Sequence, residues 1–228
     1  MNKYIKTLTL AIAFFIASSG AHAQDEYYKF EGFGGYAYMN LDRALELDNF
    51  ALDQFGKNRV NSHGFNGSAT YNFTKNWGAK FDLSLHSFGE DFTSDVTVNP
   101  GPNTAGTYKS SQSDYQYMGG IQYKNNSKDA PRFKPFAHVL AGVAHQKFTL
   151  ERTSPNAQQL IDLDSTDFAM KFGAGIDVKL VKNIDARVFQ IDYNPIWRGE
   201  KDTGNIYNPL SGGVRNNYML TFGVAFHL

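Results

Sequence analysis

The stretch Tyr218-Met-Leu-Thr-Phe-Gly-Val-Ala-Phe-His-Leu228 alternates without a break. Tyr218, Leu220, Phe222, Val224, Phe226 and Leu228 share one face, and Met219, Thr221, Gly223, Ala225 and His227 share the other. Side chains alternate across a β-strand, and a tilted strand of about nine to eleven residues crosses a bilayer. The segment therefore reads as a strand with six large apolar groups in lipid and small or polar groups facing inward. An unpaired strand edge in hydrocarbon leaves its backbone N–H and C=O groups unsatisfied, so such a strand must pair on both sides and close a barrel.

The amino terminus reads as an export signal. Met1-Asn-Lys3-Tyr-Ile-Lys6 is basic, Leu8 to Ala17 is apolar but too short to span, and Ala21-His-Ala23 before Gln24 is a small-x-small cleavage pattern. Residues 1 to 23 are expected to be a signal peptide, and residues 24 to 228 a single outer-membrane β-barrel domain. Across the whole chain 22 basic residues balance 22 acidic ones, and Lys3 and Lys6 leave with the signal, so no basic excess marks a nucleic-acid binder. With Cys 0, neither disulfides nor thiolate metal sites are available. Aromatics at 15% together with 21 glycines suit strands in a curved sheet.

Working back from the carboxyl end, the same half-greasy pattern recurs. Strand one is read at Phe30–Tyr38, strand two at Gly64–Phe73, strand three from Ala79 past Leu85, and strand four from Asp114 to Tyr123. Strand five, Phe136–Phe148, is apolar on both faces in its middle, so its inward face stays open. Strand six runs from Asp167 to Leu180. Strand seven, Ile184–Tyr193, puts Arg187 on one parity and Gln190 and Asp192 on the other, and a bulge near Val188 or Phe189 turns all three inward. Between the strands, long connections at 41–61, 89–110, 150–165 and 195–213 alternate with short ones, within which Leu41–Leu52 has some helical character. Short periplasmic turns and long extracellular loops are the rhythm of an outer-membrane barrel. The fold class is all-β: an eight-stranded antiparallel up-and-down transmembrane β-barrel.

The signal peptide, the Phe30–Tyr38 start, the Asn66–Trp77 hairpin, the segment from Phe133 to His145 and the Gly223–Leu228 end resemble the outer-membrane beta-barrel domain family, small porin-like proteins similar to the transmembrane domain of outer membrane protein A. The resemblance spans the mature chain and implies a bacterial outer membrane location. It implies as partners outer-membrane lipid and lipopolysaccharide, and the barrel-insertion machinery during assembly. Members typically end in Phe or Trp, whereas this chain ends in Leu228 with Phe226 two places before it. No peptidoglycan-binding domain follows the barrel, so a cell-wall tether is not implied.

On the inward parity, Glu31, Lys80, Asp82, His86, Asp114, Lys171, Asp177 and Lys179 form a candidate lumen polar network. A narrow barrel fills its interior with side chains, and buried charges pair because lone ones are costly. A gated ion conduit is the alternative use of the same set. His138 and His145 are an odd number of residues apart and so on opposite faces, and His86 is followed directly by Ser87 with no His-x-Ser anywhere. No catalytic, cofactor or metal site is therefore expected. Tyr38, Trp77, Tyr123, Tyr193 and Trp197 fit interfacial aromatic girdles. The function expected is a structural or surface-interaction role, with an unidentified surface ligand held by the long loops. The alternatives are a narrow porin for ions or small solutes, a lipid A-modifying barrel enzyme, and a secreted lipocalin-like binding barrel with the faces inverted.

Overall fold

The computed structural model describes residues 26–42, 59–94, 106–154, 158–199 and 212–228. Eight strands follow one another in chain order: β1 Phe30–Asp42, β2 Arg59–Asn72, β3 Trp77–Ser94, β4 Gly106–Lys124, β5 Phe133–Ser154, β6 Gln158–Val181, β7 Ile184–Arg198 and β8 Gly213–His227. Each pairs antiparallel with its neighbours, and β1 closes on β8 from Glu31↔His227 to Asn40↔Tyr218. The alternation of the last strand is thus that of the closing strand. Met219, Thr221, Ala225 and His227 are buried, while Tyr218, Phe222, Phe226 and Leu228 stand outward.

Bilayer lipid covers the outward faces, which explains the 27 exposed large hydrophobic residues among those described. Aromatic rings gather toward the two ends of the wall. Trp77 meets Tyr123 edge-on at 5.0 Å, and on the far side of the wall Phe168 meets Trp197 at 5.4 Å and Tyr193 meets Tyr218 at 5.5 Å. Strand five resolves its ambiguity through its neighbours: Phe136, His138, Leu140, Ala144 and Gln146 turn inward, and Val139 and Val143 turn outward. His145 lies on the outer face, on the parity opposite to His138.

In β7 a register shift falls between Arg187 and Gln190 against β8, and Arg187 and Phe189 pair with the consecutive residues Asp177 and Ile176 of β6. Val188 is therefore the extra residue of a bulge. Val188 and Phe189 both face out, and Arg187, Gln190 and Asp192 all face in.

The strands reach further than their greasy faces indicate. β5 continues to Ser154 and β6 starts at Gln158, so the expected long loop at 150–165 is mostly strand, and its connection is residues 155–157. The expected loops at 41–61, 89–110 and 195–213 also give up their ends to strands β1 to β4, β7 and β8. Strict long-short alternation of connections is therefore corrected to an alternation in which the third outer connection is short. Residues of 18 to 24-residue strands β3 to β6 that lie above the bilayer have no reason to alternate apolar with polar, which is why periodicity stopped short. The expected signal peptide at 1–23 and all of the Leu41–Leu52 segment past Asp42 lie outside the described residues.

At the short-turn end a strap formed by residues 26–29 crosses the mouth. Tyr27 bridges Ser127, the Tyr28 N–H donates to Asn126 O at 3.0 Å, and the Tyr28 hydroxyl donates to Lys182 O at 2.6 Å. Tyr28 is buried against the His227 ring, 5.1 Å between centroids.

Candidate functional site

Eight strands enclose an interior only wide enough for side chains, and here those side chains are charged in tiers. Nearest the short-turn end, the carboxylates of Glu31, Asp177 and Asp185 meet the cations of Lys124, Lys134 and Arg187, all buried. Arg187 Nε and Nη2 donate to the two oxygens of Asp177 at 2.8 and 3.0 Å, Nη2 also reaches Glu31 at 3.2 Å, and Nη1 donates to Gln190 at 2.8 Å. The planar guanidinium lies over the Phe33 ring at 4.0 Å and the Phe136 ring at 4.2 Å. A delocalised, weakly hydrated cation suits that stacked, forked setting better than an ammonium does. The two rings fit because glycine leaves room: a Cβ on Gly35 would lie 2.8 Å from Phe33 Cζ, and one on Gly175 2.6 Å from Phe136 Cζ.

Lys124 Nζ donates to Glu31 at 2.7 Å and to Asp177 at 2.5 Å, so both carboxylates are shared between two cations. Lys134 Nζ donates to Asp185 at 2.7 Å, and His227 Nε2 lies 2.7 Å from the same oxygen. Above this tier, Asp82 accepts from Lys171 at 2.6 Å and from Asn66 at 3.0 Å, and Lys171 also donates to Ser84 at 2.8 Å. Lys80 lies 3.5 Å from His138, whose Nε2 is 2.9 Å from Asp192, and Gln190 donates to Asp192 at 2.7 Å.

Toward the long-strand end the lining becomes partly apolar. Ala37, Met39, Leu41, Val60 and Met219 form one buried cluster, and Met118, Leu140, Ala144, Ala169 and Ile196 form another. Between them Asp114 accepts from Gln116 at 2.8 Å and Gln146 at 2.7 Å, Gln116 donates to Asn194 at 2.8 Å, and Arg198 contacts Gln146 and, at 3.7 Å, Asp167. Each charged tier contains its own counterions, and the bonds between them cross from wall to wall.

Of the residues expected inside, Glu31, Lys80, Asp82, His86, Asp114, Lys171 and Asp177 are buried in the interior. Lys179 is not. It is half-buried at the short-turn rim, where its Nζ donates to Lys128 O at 3.3 Å: the β5–β6 ladder ends at Phe133↔Val178, and beyond that pair only β7 still flanks the strand, with Lys179 opposite Asp185. His86 is buried, yet among the described residues neither ring nitrogen finds a hydrogen-bond partner. Lys124, Lys134, Asp185, His138, Asp192 and His227 belong to the network although the sequence list omits them. Lys124 and Lys134 fall in the gap between strand four, which reads to Tyr123, and strand five, which reads from Phe136. The strands extend into that gap, to Lys124 in β4 and from Phe133 in β5, and this places both side chains inside.

The outer end offers a different surface. The β2–β3 ladder stops at His63↔Ser87, while the β3–β4 ladder runs on to Ser94↔Gly106. Likewise the β6–β7 ladder begins at Phe168↔Trp197, whereas β5 and β6 pair out to Arg152↔Gln158. Strands β3 to β6 therefore rise as a four-stranded sheet above the barrel wall, with Gly89–Ser94 and Gln158–Leu163 as its two edges among the described residues. Its outer face carries Asp91, Lys109, Lys147, Glu151 and Asp162, with Lys147 3.8 Å from Asp162.

The same architecture occurs in solved structures. Neisserial surface protein A, from Neisseria, superposes with a TM-score of 0.51 at 12% identity, covering 90% of this chain and all (100%) of that one. OprG, an outer membrane protein of Pseudomonas aeruginosa, gives 0.48 at 14% identity with 89% and 97% covered. Ail, the attachment invasion locus protein of Yersinia pestis, gives 0.46 at 17% identity with 88% and 99% covered. At such identities the likeness is one of fold. No curated protein matches the chain. The family described as outer membrane protein beta-barrel domain matches residues 7–227, nearly the whole sequence. This chain belongs to that family, and its place is the bacterial outer membrane.

Proposed function

We propose that this protein is a sealed barrel that acts at the cell surface as an interaction protein, presenting the β3–β6 sheet to a protein partner. The observation that carries the reading is the pair of diverging ladders, which leave Gly89–Ser94 and Gln158–Leu163 as sheet edges above the membrane. Exposed edges recruit an added strand through main-chain hydrogen bonds, and alternating charges on the same sheet supply selectivity. The interior supports a seal in place of a conduit: its charges are matched tier by tier, and apolar clusters flank the upper tier. A catalytic role finds no support in the interior, where His86 points inward and the Ser87 that follows it points out.

Two measurements test the reading on the full mature protein. Cells displaying it are expected to adhere to immobilised extracellular proteins above the level of empty-vector cells, and removal of residues 149–163 is expected to abolish adhesion while a heat-modifiable gel shift reports an intact barrel. In planar bilayers the purified protein is expected to give a flat baseline. Adhesion that survives the removal, or stepwise currents, would overturn the proposal.

A further inference from the structure

The short-turn end of the barrel carries an uneven outward charge. Lys75 lies in the β2–β3 turn, Lys128 and Arg132 in the β4–β5 turn, and Lys182 in the β6–β7 turn, all exposed. Lys29 and Lys179 stand beside them, half-buried, at the same rim. Against these cations are set Glu26, Asp129 and the carboxylate of Leu228, and among the described residues none of Lys75, Lys128, Arg132 and Lys182 forms an ion pair. The opposite end differs: its outward Lys147 lies beside Asp162, Lys109 sits in register with Asp91 and Glu151, and Arg59 donates to Asn40 and to Asn216 O. Among the described residues, then, the outer-end cations have carboxylates or amides beside them, whereas the four at the turns face outward without a counterion.

The cations also sit at a defined depth. Lys75 is flanked by the outward rings of Phe73 and Trp77, Arg132 adjoins Phe133, and Lys182 adjoins Leu180 and Val181, all exposed on the lipid face. Interfacial aromatics mark the headgroup level, so the basic side chains lie where phosphates of the adjoining leaflet lie. Short turns face the periplasm in this architecture.

We infer that the periplasmic rim formed by Lys75, Lys128, Arg132 and Lys182 is a binding surface for anionic phospholipid headgroups of the inner leaflet. Three turns spaced around the mouth make it an annular site, so several headgroups are held at once and the barrel is fixed at one depth. Attraction of this kind is electrostatic and falls within a Debye length, so it weakens with salt.

The test uses the full mature protein refolded into phosphatidylcholine vesicles that contain spin-labelled phosphatidylglycerol or spin-labelled phosphatidylcholine as the probe. The motionally restricted fraction is expected to favour phosphatidylglycerol by about threefold over phosphatidylcholine, a preference that disappears at high salt. Replacing the four residues together (K75Q, K128Q, R132Q and K182Q) is expected to remove the preference, whereas K109Q with K147Q at the other end leaves it intact; the heat-modifiable gel shift verifies folding of each. Equal restriction of both lipids in the parent protein overturns the inference. So does a preference unchanged in the fourfold variant, and loss of co-sedimentation with purified peptidoglycan without a change in lipid preference would assign the rim to the cell wall. Because the readout is lipid contact, its failure is separate from any failure of the surface-adhesion reading.

Discussion

Arg187 and Asp177 face each other on adjacent strands and are joined by two near-parallel hydrogen bonds of 2.8 and 3.0 Å. The pair exists because Val188 bulges out of β7 and lets Arg187 keep the inward face that Gln190 and Asp192 also occupy. With Lys124 bonded to the same Asp177, and Glu31 shared by both cations, one residue on β7 ties together β1, β4 and β6.

Substituting Arg187→Met leaves Glu31 and Asp177 to share Lys124, with His227 Nδ1 3.7 Å from Glu31, and is expected to destabilise the barrel by about 3–5 kcal/mol, as breaking a buried charge pair does. Equilibrium urea unfolding in lipid vesicles, read by the gel shift, measures it. Arg187→Lys should recover only part of the loss, since an ammonium cannot make the forked contact with Asp177.

Deleting Val188 removes the bulge. Arg187 and Gln190 then stand two residues apart, so both keep the inward face and β7 alternates regularly against β6 and β8. The deletion is therefore expected to keep a heat-modifiable folded band, as is Val188→Ala at the same outward position, with a change of under about 1 kcal/mol. Loss of the folded band in the deletion variant would show that the bend introduced by the bulge is needed for the wall to close.

Gly35→Ala places a methyl group against the Phe222 carbonyl and 2.8 Å from the Phe33 ring. The expected cost is about 1–3 kcal/mol, typical of overpacking, because the ring is held by Arg187 and the obstacle on the other side is backbone. A lower urea midpoint with an unchanged slope is the expected signature.

The outward faces are tested by Phe222→Lys against Phe226→Lys. Both rings are exposed in the wall, but Phe226 lies next to the periplasmic end of β8 and Phe222 about a third of the way up. A lysine near mid-membrane costs about 2–4 kcal/mol and one at the interface about 0–1, so the first variant should lose far more stability in vesicles than the second. Equal, small losses would mean that lipid does not cover this face.

The strict alternation of Tyr218–Leu228, with the half-greasy segments before it, by itself determined an eight-stranded barrel and sorted most residues into two faces, since period two maps directly onto the two faces of a strand; which face is the interior, and the inward side of strand five, it left open. The odd parity of Arg187 against Gln190 and Asp192 even located the bulge. Tertiary structure alone decided how the interior charges combine, because the members of the Arg187 network stand on β1, β4, β6 and β7, and no spacing along the chain records which carboxylate a ring closure brings to which cation. It also decided Lys179, whose inward parity runs one residue past the last β5–β6 pair, and the height of β3 to β6 above the membrane. There the hydrophobic effect no longer sorts one face from the other, so backbone pairing sets the strand ends without leaving a trace in the pattern of side chains.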